Sequence, residues 1–382
     1  MIAVEIVFWA AAGLLLYAQV GYPLLLAAWS ALSRRAPAPQ GPGPGGEPFV
    51  AVVVAAHREA PVIADRVANL RALDWPQDRL QVIVACDGSP DETPGLARRA
   101  GADLVLDLPR GGKVRAQDAA VDAADPRAQV VAFSDANAAW EPGALRELVA
   151  ALSDPAVGYA CGQVSFVGED GSTNQEGLYW RYEMWIRGRE SRLASVTGGN
   201  GAIYAVRRED YIEVDPVMGH DLSFPFNFVK RGRRAVYVPG ARAREKMVPS
   251  VEGEFARKRR MMSHAWPIVL AGGLASPAGY PPGYALMVAS HRLLRYAAPF
   301  LHLVALGANV ALVATGAGTL YVVTLALQAA VLLFALLAPV VPARPLLVAR
   351  YYVLTTASIA AGLWDYLVHG TPAGWAPPEG TR

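Results

Sequence analysis

Charge is scarce in this chain and unevenly spread. Asp, Glu, Lys and Arg make up 18% of its 382 residues and apolar residues 53%, where soluble domains carry about 25% charged residues. The 35 Lys and Arg nearly balance the 33 Asp and Glu, leaving a net charge of +2. That balance selects no polyanionic partner, and no nucleic-acid motif accompanies the basic clusters, so nucleic acid is excluded as a partner. Cysteine is almost absent. Cys86 and Cys161 each fall inside an apolar run, which excludes a disulfide framework and provides no metal or redox spacing. They read as buried free thiols in a reducing compartment.

Missing charge marks where lipid is expected. From Ile2 to Leu32 the only charged residue is Glu5, and Arg34 and Arg35 follow at once. About 20 apolar residues make a membrane span, so residues 1–33 are assigned to an N-terminal transmembrane helix; a cleaved signal peptide would open with a basic region and have a shorter core. Three further apolar blocks, Ala297–Thr315, Leu320–Val341 and Leu347–Val368, give three transmembrane helices within 297–369, the alternative being buried core helices. Arg34, Arg35, Arg292, Arg295, Arg344 and Arg350 flank these blocks on one side. By the positive-inside rule that puts the central region in the cytoplasm, beneath an inner (plasma) membrane that the chain crosses several times. Four complete spans then leave the tail, residues 370–382, outside. The alternative is that the first block, interrupted by Gly21-Tyr22-Pro23, fails to cross.

Residues 34–48 are nearly all Pro, Gly and Ala after the arginines, an extended spacer that builds no core. After it, strand and helix patterns alternate. Phe49–Ala56, Leu80–Cys86, Leu104–Leu106 and Val130–Phe133 read as strands; Pro61–Leu73, Thr93–Ala100, Lys113–Ala124 and Gly143–Leu152 read as helices. Such alternation implies an α/β domain on a mainly parallel sheet, with ligands at the carboxyl ends of the strands. That rule selects His57–Glu59, Asp87–Ser89 and Ser134–Asn137. In residues 251–296, Glu254–Trp266 mixes Arg257, Lys258, Arg259 and Arg260 with Phe255, Met261, Met262 and Trp266, and Tyr284–Tyr296 is similar. Both read as interfacial helices, or alternatively as solvated charged faces.

Asp135-Ala136-Asn137 ends an apolar strand with two oxygen-bearing side chains, the hard ligands that Mg2+ or Mn2+ prefers; alone, such a turn after a strand is common. Its company is more specific. Val52–Glu59, Cys86–Ser89, Gly111-Gly112-Lys113, Phe133–Asn137 with Pro142, Gly201–Arg208, His220-Asp221-Leu222, Val238–Ala241 and Glu254–Arg260 occur in this order. Together they resemble family-two glycosyltransferases of the GT-A fold, in the membrane-anchored branch of cellulose, hyaluronan and poly-N-acetylglucosamine synthases, over Phe49 to about Trp266.

That resemblance implies a Rossmann-like GT-A catalytic domain over 49–250 and a nucleotide-sugar donor, with a lipid-linked or glycan acceptor. It implies that Glu59 and Asp87 hold the nucleotide, Asp87 reading a base that is usually uracil. Lys113 lies near the donor, Asp135 and Asn137 engage ribose and the diphosphate-bound metal, and Asp221 is the catalytic base. Arg257 and Arg260 fall where processive members carry a Gln-x-x-Arg-Trp element. Four residues depart from the pattern. Asn137 replaces an acid, Arg58 an Asn, His220 a Glu, and Met261 stands where a polymer-stacking Trp is usual, which favours transfer of one sugar. A processive synthase, needing a channel wall that an oligomer would have to complete, is the alternative, as are a polyprenyl-phosphate transferase and a non-catalytic scaffold. The tail's Trp375 and Arg382 resemble a Trp…Arg ending of related transferases.

Overall fold

The computed structural model describes residues 1–33, 46–167, 176–246 and 251–374. Most of the Pro/Gly spacer, together with Trp375 and Arg382, lies outside the described residues. The chain forms two compact units: a helical one made of Met1–Trp29, Ser250–Trp266 and Leu286–Gly370, and an α/β one made of Ser30–Pro249, Pro267–Ala285 and Thr371–Arg382.

The helical unit begins with α1 (Ile2–Leu16) and α2 (Tyr22–Leu32), joined by a π turn over Tyr17–Gly21. The turn lies just before Pro23, whose missing N–H and ring disfavour a regular α turn. The helix therefore continues through the Gly21-Tyr22-Pro23 interruption.

In the α/β unit an eight-stranded mixed sheet has the order β3-β2-β1-β4-β7-β6-β8-β5. Its first half is β1 (Phe49–Ala56), α3 (Ile63–Arg71), β2 (Leu80–Asp87), α4 (Thr93–Arg99), β3 (Leu104–Leu108), α5 (Lys113–Asp122) and β4 (Ala128–Asp135). β1 pairs in parallel with both β2 and β4. Its valines alternate between two cores: Val50, Val52 and Val54 enter one and Ala51 and Val53 the other. Burial on both faces is why the strand is apolar without alternation.

The second half combines parallel and antiparallel pairs, so the sheet is mainly but not wholly parallel. β5 (Ala139–Trp140), α6 (Ala144–Leu152), β6 (Val157–Val167), α7 (Glu176–Leu193), β7 (Tyr204–Arg207), α8 (His220–Lys230) and β8 (Arg234–Lys246) follow. β7 runs antiparallel between β4 and β6. Between Cys161 and Gln163 the β6–β8 register shifts, and at Gly162 the strands pass so closely that an added Cβ would lie 2.2 Å from the Ala241 carbonyl oxygen.

The helical unit then resumes with α9 (Val251–Leu270), whose residues to Trp266 belong to it. Next come α10 (Pro282–Met287), a π turn over Val288–Leu293 and α11 (Leu294–Ala314). These form one helix, so the second expected interfacial helix, Tyr284–Tyr296, is continuous with the block after it. α12 (Thr319–Leu337) and α13 (Arg344–His369) complete the unit. Among the described residues, four helical stretches, Ile2–Leu32, Pro282–Ala314, Thr319–Leu337 and Arg344–His369, are long and apolar enough to cross a membrane.

Gly162→Ala is expected to destabilise the protein by on the order of 2 kcal/mol, since the methyl meets backbone that has no rotamer to yield. Thermal unfolding of the purified chain measures it; an unchanged midpoint would refute the close approach.

Candidate active site

The carboxyl ends of β1, β2 and β4 carry the polar residues, as sheet topology requires. At the end of β2, Asp87 is buried and bonded through both oxygens. Oδ1 accepts the N–H groups of Gly111 (2.6 Å) and Gly112 (2.9 Å), and Oδ2 accepts Arg110 Nη1 at 2.8 Å. Asp87 thus clamps the loop that starts α5. Next to it, burial pushes the Cys86 thiol up to about 12, as expected of an inert core cysteine.

At the end of β1, the buried Glu59 donates its N–H to Thr93 Oγ1 at 2.9 Å, and Arg58 donates its N–H to Ser89 Oγ at 2.7 Å. Asp91 ties these segments together, accepting Ser89 Oγ (2.8 Å), Thr93 Oγ1 (2.6 Å) and the Ala60 N–H (3.2 Å). Burial raises its pKa, but these hydrogen bonds outweigh that and hold it below the ordinary value. Arg58 is exposed and adopts φ +56°, a left-handed conformation that Asn tolerates far better than Arg. This gives a physical reason for the Asn usual at that position.

Lys113 opens α5 directly after the Asp87-held loop and makes an ion pair with Asp135 at the end of β4. Burial lowers the pKa of its ammonium, but Asp135, Asp221 and Glu245 together hold it above the ordinary lysine value. Asp221 sits in the first turn of α8, where the helix dipole favours a carboxylate. Its carbonyl accepts the Gly199 N–H at 2.6 Å, and an added Cβ on Gly201 would lie 3.1 Å from Lys113 Nζ and 3.4 Å from Asp135 Oδ2. The glycine loop Gly198–Gly201 therefore lies between the start of α8 at Asp221 and the Lys113–Asp135 pair. Asn137 is half-buried in the turn after β4.

His220 belongs to the packing beneath the site. It is buried, stacks on Phe224 with ring centroids 3.9 Å apart, and shares a 2.9 Å hydrogen bond with Tyr204, whose hydroxyl also accepts Gln117 Nε2 at 3.1 Å. Burial, with the Lys113 charge adding to it, holds its pKa well below 6.5, so His220 is a neutral core residue.

Glu59, Asp87, Lys113, Asp135, Asn137 and Asp221 all belong to the α/β unit. Arg257 and Arg260 belong to the helical one, where Arg257 holds Glu254 through two 2.7 Å hydrogen bonds. Sequence reasoning missed Arg110, Asp91 and all of the Thr197–Gly201 loop except Gly201. Of these only the loop had a signal, three glycines within Thr197-Gly198-Gly199-Asn200-Gly201.

Acid, amine and glycine-loop groups gather at the carboxyl edge of a mixed Rossmann-like sheet of the GT-A type. Residues 51–214 match the family model for Glycosyl transferase family 2, so the chain carries a glycosyltransferase family 2 domain and is a glycosyltransferase. Among solved structures it resembles the mannosyltransferase PcManGT from Pyrobaculum calidifontis, determined with GDP-Man and Mn2+. The two share 23% identity at a TM-score of 0.73, covering 96% of this chain and 99% of that one. Glucosyl-3-phosphoglycerate synthase from Mycobacterium tuberculosis, determined with Mn2+, UDP and glucosyl-3-phosphoglycerate, aligns at 18% identity and a TM-score of 0.41 over 61% of this chain and 81% of that one. No curated protein matches.

Arg58→Asn is expected to stabilise the chain by about 1 kcal/mol through relief of the left-handed conformation; a lower unfolding temperature would contradict that account. The lowered pKa of His220 fixes a sign as well. Below about pH 6.5 the unfolded histidine takes up a proton that the folded one refuses, so stability falls with acidification. In His220→Gln the loss between pH 7.5 and pH 5.5 should shrink, and an equal loss in both proteins would show that other groups carry it.

Proposed function

We propose that this protein is a membrane-anchored, inverting glycosyltransferase of the branch named above. It moves one sugar from a nucleotide-diphosphate sugar to a lipid-linked or glycan acceptor at the cytoplasmic face of the membrane, as a single chain or an oligomer. The observation that carries the reading is the Lys113 ammonium, paired with Asp135 and drawn up further by Asp221. Donor-phosphate and base functions need those groups side by side.

Asp221 takes the proton of the acceptor hydroxyl while the acceptor's oxygen bonds to the anomeric carbon. The bond from that carbon to the diphosphate breaks on the opposite face, releasing the nucleoside diphosphate and inverting the centre. A carboxylate with an ordinary pKa of about 3.9 is ionised at neutral pH, so positioning is its main contribution. Lys113 stabilises the charge developing on the leaving group, and Glu59 and the Asp87-held loop receive the nucleoside.

A divalent Mg2+ or Mn2+ fits the donors present. Asp135 and Asn137 offer two hard oxygens from one tight segment, and among the described residues no cluster of three or more His, Cys, Asp or Glu is present to hold an ion alone. The remaining ligands would be diphosphate and water, the usual arrangement for Mg2+. An ion held there would neutralise diphosphate charge. A uridine donor follows from the resemblance, whereas PcManGT was determined with a guanosine one, so both belong in the test. Met261 in place of a stacking tryptophan supports single transfer over processive synthesis.

A panel of UDP- and GDP-sugars with the detergent-purified protein should give metal-dependent transfer or hydrolysis for at least one donor, abolished by EDTA. Asp221→Asn should lower that rate about 100- to 10,000-fold without weakening nucleoside diphosphate binding. Wild-type turnover by this variant would overturn the assignment of the base. Asn137→Asp should tighten the metal-dependent binding; affinity indifferent to EDTA would remove the ion from the account.

A further inference from the structure

Four full spans with the α/β unit inside put the tail outside, yet contacts within each unit disagree with that count. Within the α/β unit the tail lies on the loop that Asp87 clamps. An added Cβ on Gly112 would lie 2.1 Å from the Ala373 carbonyl oxygen, and one on Gly374 would lie 3.5 Å from Arg110 Nη2. Glycine at position 112 allows the close approach, whereas a Cβ at Gly374 would make only an ordinary contact. A segment touching Gly112 shares a side of the membrane with it. Between Leu286 and Thr371 the chain must then cross an even number of times.

Contacts inside the helical unit identify the helix that does not cross. α11 and α12 form an antiparallel hairpin, with Asn309 bonded to Thr324 and Gln328. A third span would run beside α11 toward the Thr315–Gly318 turn. α13 begins that way, with Arg350 on the Ala335 carbonyl and Tyr352 bonded to His302 at 2.7 Å. Continued as a span, Ile359 would lie level with Asn309. Instead its carbonyl accepts the indole N–H of Trp266 (3.0 Å), and that indole packs on Tyr296 at 5.8 Å, at the opposite end of α11. Farther along, Gly362 abuts Arg259 and Met262, and Asp365 pairs with Arg259 at 2.6 Å. The second half of α13 therefore runs with the basic, amphipathic α9, as an interfacial helix does.

We propose that α13 lies in the membrane interface, that the chain crosses three times, and that Thr371–Gly374 returns to brace the Arg110–Gly112 loop as a positioning element for donor binding. The outer-face tail is thereby replaced by one beside the catalytic domain. The positioning role rests on the donor-site reading of the Asp87 loop, while the topology does not.

Two measurements test it. Exposed positions are changed singly to cysteine in the full chain and treated in intact cells with a membrane-impermeant maleimide: Arg99→Cys for the α/β unit, Thr315→Cys for the α11–α12 turn and Pro372→Cys for the tail. The expected result is that Pro372→Cys behaves like Arg99→Cys and opposite to Thr315→Cys; labelling together with Thr315→Cys overturns the topology. The second measurement is calorimetry of Mn2+ with UDP and with GDP on the full chain and on a chain ending at Gly370. Loop preorganisation predicts about tenfold weaker binding of the preferred nucleotide by the shortened chain, with its nucleotide-free unfolding temperature unchanged. Equal affinity overturns the bracing role. Failure of the full chain to bind either nucleotide overturns the donor-site reading and the bracing role with it, and leaves the labelling result to decide the topology.

Discussion

One buried carboxylate sets the geometry on which the rest of the site depends. Asp87 ends a mostly apolar strand and satisfies both oxygens with Arg110 and the N–H groups of Gly111 and Gly112. Charge-assisted hydrogen bonds of this kind are roughly twice as strong as neutral ones, and a buried carboxylate left without them costs several kcal/mol. The clamp fixes where α5 begins, and so where Lys113 reaches Asp135.

The site keeps its charges at the rim and neutral aromatic packing beneath. Phe133, Tyr204, Phe224 and His220 pack together by stacked and edge-on contacts, and the burial that keeps His220 uncharged also strengthens the electrostatic contacts near it. Lys113 shows the opposite outcome: burial acts against its charge, but three carboxylates outweigh it. Neutral histidine and charged lysine thus follow from the same low-dielectric surroundings, separated by the presence or absence of acidic partners.

The first half of the sheet was legible because β1, β2 and β4 are buried on both faces and read as continuous apolar runs between helical periods. The placement of Asp87, Lys113, Asp135 and Asp221 at strand or helix ends was legible because each sits in a short ordered motif. The antiparallel β7 was not, since four residues, Tyr204–Arg207, carry no period that states direction. Arg110 was hidden because its role comes from a carboxylate 23 residues earlier. The fate of α13 was equally hidden: its length and apolarity describe a span, and only the Trp266 and Arg259 contacts distinguish lying in the interface from crossing.

The central claim is a single displacement at the anomeric carbon, with Asp221 as base and no covalent sugar–enzyme stage. Proton NMR of the first product formed from an α-linked nucleotide sugar tests it directly, because the anomeric coupling constant reports the configuration before mutarotation or further transfer. The account predicts a β-linked product. An α-linked product would contradict it.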